Sequence, residues 1–248
     1  MNDHEIRSRA YWLHEGEVVS GSAQEYFPFF DGRKHVISLV GGGGKSTLLA
    51  YLAQRFAACG MRTVIMTTTR MACPQHICTT IADCRACWSR GEAAACGEKT
   101  ENGKFRAPQD ALLSALLQEA DVIIAEADGA HMLACKAPAE HEPVILPQSD
   151  IVIGVMGVEV LGYAVGEVCH RPEHVCALLG CDEAHRLTAA DMAGIFVSEK
   201  GTRKHVGSRD FYAVINKCDD ETRVQAACAV LAELNKRGQE AVVLTSFM

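Results

Sequence analysis

Two periods alternate along this chain. Val36 to Val40 is a mainly apolar, partly β-branched run closed by glycines, which predicts a buried strand. From Ser46 to Cys59 the residues Leu48, Leu49, Leu52, Ala53 and Phe56 recur at helical spacing and stop at Gly60, which predicts a helix. Further strands are predicted over Arg62–Thr67, Asp121–Ala125, Ile151–Val155, Phe211–Ile215 and Ala241–Thr245. Helices are predicted over Asp110–Glu119, Pro172–Leu179, Thr188–Ile195 and Thr222–Arg237. Strands alternating with helices predict an α/β fold, a mainly parallel sheet with helices on both faces.

Three stretches break this rhythm. Residues 1–34 are mixed, with an aromatic patch, Tyr26 to Phe30, expected to pack against the core. Residues 72–107 lack clear periodicity and read as an insertion or mobile loop. Residues 166–209 carry two short helical patterns among glycines, which predicts a small helical subdomain inserted before the last strands. The expected organisation is one α/β domain, 1–165 with 210–248, and the subdomain 166–209.

At 248 residues, 48% hydrophobic and 22% charged, the chain can bury one large core. Its formal net charge of −7 does not favour nucleic acid or an anionic membrane as partner. The first residues, MNDHEIRSRAYWLHEGE, lack the apolar core of a signal peptide, and no apolar stretch reaches membrane-spanning length, so a cytoplasmic location is expected. The twelve cysteines are then expected as thiols rather than disulfides.

The chemistry begins where the first strand meets the first helix. Gly41, Gly42, Gly43 and Gly44 are followed by Lys45, Ser46 and Thr47. Glycines between a strand and a helix let backbone N–H groups turn toward an anion, and the first helical N–H groups have no partner within the helix. This is a P-loop NTPase-like arrangement, in the short form G-x-x-G-K-S, because the glycine of the longer pattern would fall at Leu39. Lys45 would reach the outer phosphates and Ser46 would hold Mg²⁺.

Such a site calls for a carboxylate at the end of a neighbouring strand. DVIIAEADG supplies Glu126 and Asp128, for the metal or an attacking water. Thr67 and Thr68 end another predicted strand, where one threonine could assist Mg²⁺ or the γ-phosphate. Asn216, Lys217 and Asp219 form N-K-x-D after a later strand, a pattern that reads guanine: the carboxylate accepts from the ring N–H and the exocyclic amine, a donor pair that adenine lacks. GTP is therefore expected ahead of ATP. Lys136, His141 and Glu142 lie in a segment bounded by Pro138 and Pro147, which excludes regular helix or central strand. Lys136 there is a candidate counter-charge, His141 a candidate proton acceptor or ligand, and Glu142 its orienting partner or a metal ligand.

With these motifs in view, together with the run Lys136–Ile145 and Arg171-Pro172-Glu173, the chain resembles the YqeC-type accessory proteins of selenium-dependent molybdenum hydroxylases. The resemblance implies a nucleotide-binding accessory protein, with a maturation factor or the molybdenum hydroxylase itself as partner. The reaction expected from the residues is Mg²⁺-dependent hydrolysis of GTP or ATP, with Arg70 and Arg171 the candidate finger arginines. Two alternatives stay open: a transferase or ligase activating a second substrate, which the short glycine loop favours, and a non-catalytic scaffold.

Cys73, Cys78, Cys84 and Cys87, with His76 inside the run and Cys96 beyond it, suggest a zinc or iron–sulfur site, although only Cys84 and Cys87 have the close spacing of a structural zinc pair. The plainer expectation is an irregular, cysteine-tolerant loop.

Overall fold

The computed structural model describes residues 6–247. In chain order its main elements are strand β1 (Ser8–His14), β2 (Glu17–Gly21), helix α1 (Ala23–Tyr26), β3 (His35–Gly41), α2 (Lys45–Ala58), β4 (Thr63–Thr67), α3 (Ile81–Ser89), β5 (Ala94–Ala95) and α4 (Asp110–Glu119). There follow β6 (Val122–Glu126), β7 (Ile151–Gly157), α5 (Val165–Val168), α6 (Pro172–Leu179), α7 (Ala189–Val197), β8 (Asp210–Asn216), α8 (Glu221–Lys236) and β9 (Val242–Phe247).

Among the described residues nine strands form the main sheet, in the order β2-β1-β9-β8-β7-β3-β6-β4-β5. From β9 to β5 every pairing is parallel, and β1 and β2 add an antiparallel hairpin at one edge. Alternation along the central strands explains why both faces are covered. Ile151, Ile153 and Val155 enter one core with Leu48, Leu52 and Phe56 of α2 and the aromatic residues Phe27 and Phe29. Val152 and Met156 point to the other face, into a core with Phe196 of α7 and Leu231 of α8. Further along that second face, Val64, Met66, Ile123 and Ala125 pack against Leu116 of α4 and Cys84 of α3.

Residues 72–107, expected as an insertion or mobile loop, instead carry α3, the sheet edge β5 and part of a three-stranded antiparallel sheet of Arg70–Ala72, Lys104–Arg106 and Glu98–Lys99. These strands are two or three residues long, too short to show a period in the sequence. The hairpin of β1 and β2 was also absent from the expectation.

The chain reverses its direction of progress across the sheet near its centre. From β3 it passes through α2 to β4 on one side, returns to β6, and then crosses to β7 on the other side of β3. In open α/β sheets this is where ligands bind, beyond the carboxyl ends of the strands.

Candidate functional site

Four carboxyl ends meet at the glycine turn. Gly41 ends β3, Glu126 ends β6 and pairs with Leu39, Gly157 ends β7, and Asn216 ends β8 in register with Gly157. The turn fits between these ends because two of its residues are glycine. A Cβ on Gly43 would lie 2.1 Å from the Gly157 nitrogen, and one on Gly44 would lie 2.3 Å from Asn216 Nδ2. Gly44 also has φ of +109° as the residue that opens α2, a conformation that strains any other residue.

The first three glycine N–H groups do not form the expected inward cup. Gly41 donates to both oxygens of Asp128 (3.1 and 3.0 Å), Gly42 to the Val155 carbonyl (2.8 Å) and Gly43 to the Leu133 carbonyl (3.2 Å). The acceptors lie in β7 and in the loop after β6, so the turn is contracted onto its neighbours. For the N–H groups of Gly44, Lys45, Ser46 and Thr47 there is no acceptor among the described residues. The first backbone bond of the helix is Leu48 to Gly44 at 3.1 Å. Ser46 and Thr47 are exposed, so the free donors open to solvent.

Around that opening the sheet gathers charge. Lys45 is only 4% exposed; it donates to the Gly41 carbonyl and lies 3.1 Å from Asp128 Oδ1. Ser46 Oγ donates to Glu126 Oε2 at 3.1 Å. Burial pushes the Glu126 carboxyl above the usual carboxylate range, and Lys45 opposes that rise. The buried Lys136 lies 3.3 Å from Asp128 Oδ2, and donates to Glu142 Oε2 and the Gly129 carbonyl, each at 2.7 Å. Arg171, at the N-terminus of α6, donates to the same Glu142 oxygen. Asp128 therefore sits between two ammonium groups, and Glu142 between an ammonium and a guanidinium.

Other candidates fall differently. Thr67 Oγ1 donates to the Glu126 carbonyl (3.0 Å) and Thr68 Oγ1 to the Val144 carbonyl (2.7 Å), so these hydroxyl protons are engaged by backbone. His141 is exposed and has no hydrogen-bond partner among the described residues; its neighbour Glu142 is the one that points inward. Asn216 donates to the Gly43 carbonyl (2.9 Å) and accepts from Thr245 Oγ1 (3.0 Å). Lys217 pairs with Glu159, whose second oxygen, Oε2, is buried without a partner among the described residues. Asp219 accepts from Ser246 Oγ (2.7 Å) and Arg223 (2.9 Å), with about half of its side chain exposed.

Two histidines enter the site that the sequence reading missed. The rings of His131 and His170 stack with centroids 4.6 Å apart and planes 14° from parallel. His170 is held at the level of Lys136 by the parallel pairing of Cys135–Lys136 with Cys169–His170, and its Nε2 is buried with no partner among the described residues. Burial, followed by the Arg171 and His131 charges, pushes the His170 imidazole below its usual range, toward the neutral form. Neither residue stands in a pattern of spacing that would have marked it.

Ser46, Glu126 and Asp128 offer a hydroxyl and two carboxylates, an all-oxygen donor set suited to a hard divalent cation such as Mg²⁺. Among the described residues no helix is long and apolar enough to cross a membrane. Comparison with known proteins gives two concordant results. The YqeC protein family matches residues 37–173, the stretch that contains the glycine turn, Asp128, Lys136, Glu142 and Arg171. A relative from Escherichia coli strain K12, described as "Uncharacterized protein YqeC", is 32% identical over 234 residues, covering 86% of this chain and 87% of the relative. The chain belongs to the YqeC protein family.

Proposed function

We propose that this protein binds a nucleoside triphosphate with Mg²⁺ at the start of α2 and hydrolyses it. The observation that supports this reading best is the placement of Lys45: a buried ammonium at the first helical position, in a helix start whose four N–H groups from Gly44 to Thr47 have no acceptor among the described residues, and 3.1 Å from the Asp128 carboxylate. A cation so buried needs compensating negative charge. A β- or γ-phosphate would replace the Gly41 carbonyl as its partner and accept from the N–H groups of Gly44 to Thr47. The phosphate cradle proposed here thus lies one turn later than a cup formed by Gly41–Gly43.

Ser46, with Glu126 and Asp128 directly or through water, would hold the Mg²⁺, which neutralises charge on the transferred phosphoryl group. Lys45 would stabilise the same charge, and Lys136 would hold Asp128 in position. In this reading hydrolysis rests on positioning and electrostatics, with Arg171 the cation nearest to a finger role. Asn216 braces Gly43, and Asp219 offers a half-exposed carboxylate beside the Lys217 stem, which favours guanine over adenine. Following the resemblance of its motifs, we place the protein as an accessory factor in the maturation of a selenium-dependent molybdenum hydroxylase.

One observation favours a second reading, transfer to a second substrate. Lys136, Glu142, Arg171 and the unpartnered His170 Nε2 extend the polar site beyond what a triphosphate needs.

Calorimetric titration with GTP and ATP analogues, with and without Mg²⁺, tests the proposal on the wild-type protein and on Lys45→Ala. Binding that requires Mg²⁺, is tighter for the GTP analogue and disappears in a folded Lys45→Ala variant is the expected result. No binding by the wild type would overturn it. A product other than nucleoside diphosphate and phosphate would favour the second reading.

A further inference from the structure

Four of the twelve cysteines, Cys78, Cys84, Cys87 and Cys96, come together beneath α3, and the chain segments that carry them are each fixed by backbone geometry. The start of α3 is set by Thr80 Oγ1, which accepts from the Asp83 N–H (3.2 Å), and by the Asp83 carboxylate, which accepts from the Thr79 (3.1 Å) and Thr80 (2.9 Å) N–H groups. Cys84 and Cys87 then lie three residues apart, on one face of the helix. Cys78 is tied to the sheet edge through its N–H to the Ala95 carbonyl (2.8 Å), and Cys96 through its N–H to the Ile65 carbonyl (2.8 Å).

The sulfurs face one another. Cys84 and Cys96 Sγ are 3.2 Å apart, and the Cys78, Cys84 and Cys96 sulfurs all lie within 4.8 Å of one another; Cys87 Sγ, outside that set, joins it through Cys78 at 3.7 Å. None is in a disulfide. A tetrahedral zinc ion with Zn–S bonds of about 2.3 Å places its sulfurs about 3.8 Å apart, in the middle of this range. A four-iron cluster spreads its thiolates over the outside of a cube, further apart than these.

We infer that Cys78, Cys84, Cys87 and Cys96 bind one zinc ion in a closed structural site that pins α3 and the short edge strand β5 to the sheet. Cys96 takes the place that the sequence reading gave to Cys73, which lies outside the cluster. Four protein sulfurs leave no open position for a substrate or water. The Arg90 guanidinium, 3.6 Å from Cys87 Sγ, offsets part of the negative charge of a four-thiolate site.

The test is elemental analysis of the full chain, expressed with added zinc and purified reduced and without chelator. About one zinc per chain is expected for the wild type and for Cys59→Ser and Cys73→Ser, with loss of zinc in Cys84→Ser and Cys96→Ser. Because those two variants could unfold, Cys87→Ser, at the more accessible edge, and cobalt titration of metal-free wild type provide independent measurements. Intense visible bands of tetrahedral thiolate-bound cobalt, weakened in a folded Cys87→Ser variant, would support the site. Iron in place of zinc, a folded wild type with neither zinc nor a cobalt spectrum, or equal metal loss in Cys73→Ser would overturn it. No nucleotide enters these measurements, so their outcome is separate from that of the nucleotide proposal.

Discussion

The Asn216 carboxamide donates to the Gly43 carbonyl at 2.9 Å, linking the end of β8 to the glycine turn across 173 residues of chain. Its oxygen accepts from Thr245, and the whole group is 96% buried. Asn216→Ala leaves the buried Gly43 carbonyl and the buried Thr245 hydroxyl without these partners. A loss of about 1–3 kcal/mol is expected by urea unfolding. At the proposed site nucleotide affinity should fall as well, because the turn loses its brace.

A different prediction follows from the close approach of that carboxamide to the turn. Gly44→Ala must accommodate both φ of +109° and a contact of 2.3 Å with Asn216 Nδ2, whereas Gly60→Ala meets open space at φ of +78°. Strain at φ > 0 alone costs about 1–2 kcal/mol. Gly60→Ala should therefore lose about that amount and Gly44→Ala clearly more. Equal melting-temperature shifts in the two variants would show that the turn is less tightly packed than its geometry requires.

Much of this arrangement was legible before the structure, and the exceptions have a common cause. The helices over Asp110–Glu119 and Pro172–Leu179 have the bounds that the apolar spacing predicts, and the central strands differ by one or two residues. Lys45, Ser46, Glu126 and Asp128 could be grouped because residues at strand ends and helix starts leave a local pattern. The capture of the Gly42 and Gly43 N–H groups by the Val155 and Leu133 carbonyls could not be read, because backbone acceptors leave no trace in residue type. Glu142 and Arg171 meet across 29 residues and an irregular proline-bounded segment, where no period carries information. The β1–β2 hairpin did have a signal, the two-residue Glu15-Gly16 turn with both φ values positive, but its strands are too exposed to alternate cleanly.

Asp128 should be the most sensitive charge in the site. It accepts from the Gly41 N–H and lies within 3.3 Å of both Lys45 and Lys136, with 2% exposure. Asp128→Asn leaves two buried ammonium groups sharing less negative charge, and a loss of about 3–5 kcal/mol is expected. Lys136→Met should cost less, since Asp128 keeps Lys45 and Glu142 keeps Arg171. Chemical denaturation of the two variants checks the order, and a Lys136→Met variant less stable than Asp128→Asn would contradict it.

The acid limb of the stability profile should report on Glu142. Burial is the largest influence on this carboxyl and pushes it up, but hydrogen bonds from Lys136 and Arg171 together outweigh burial and hold it at about 2, against an ordinary value of 4.5. A carboxyl depressed in the folded state contributes its stability in full above its unfolded value and loses it as pH falls through the folded one. The contribution of Glu142 should thus be complete above about pH 4.5 and decline toward about pH 2. Glu142→Gln removes the group that titrates, so the gap in denaturation midpoint between this variant and wild type should be widest near neutrality and close across that window. Arg171→Ala removes one of the two opposing cations, and should move the acid limb of the otherwise wild-type protein to higher pH. A gap that stayed constant across the window would mean that Glu142 is not held ionised by its two cations, and the polar extension of the site toward α6 would lose its electrostatic basis.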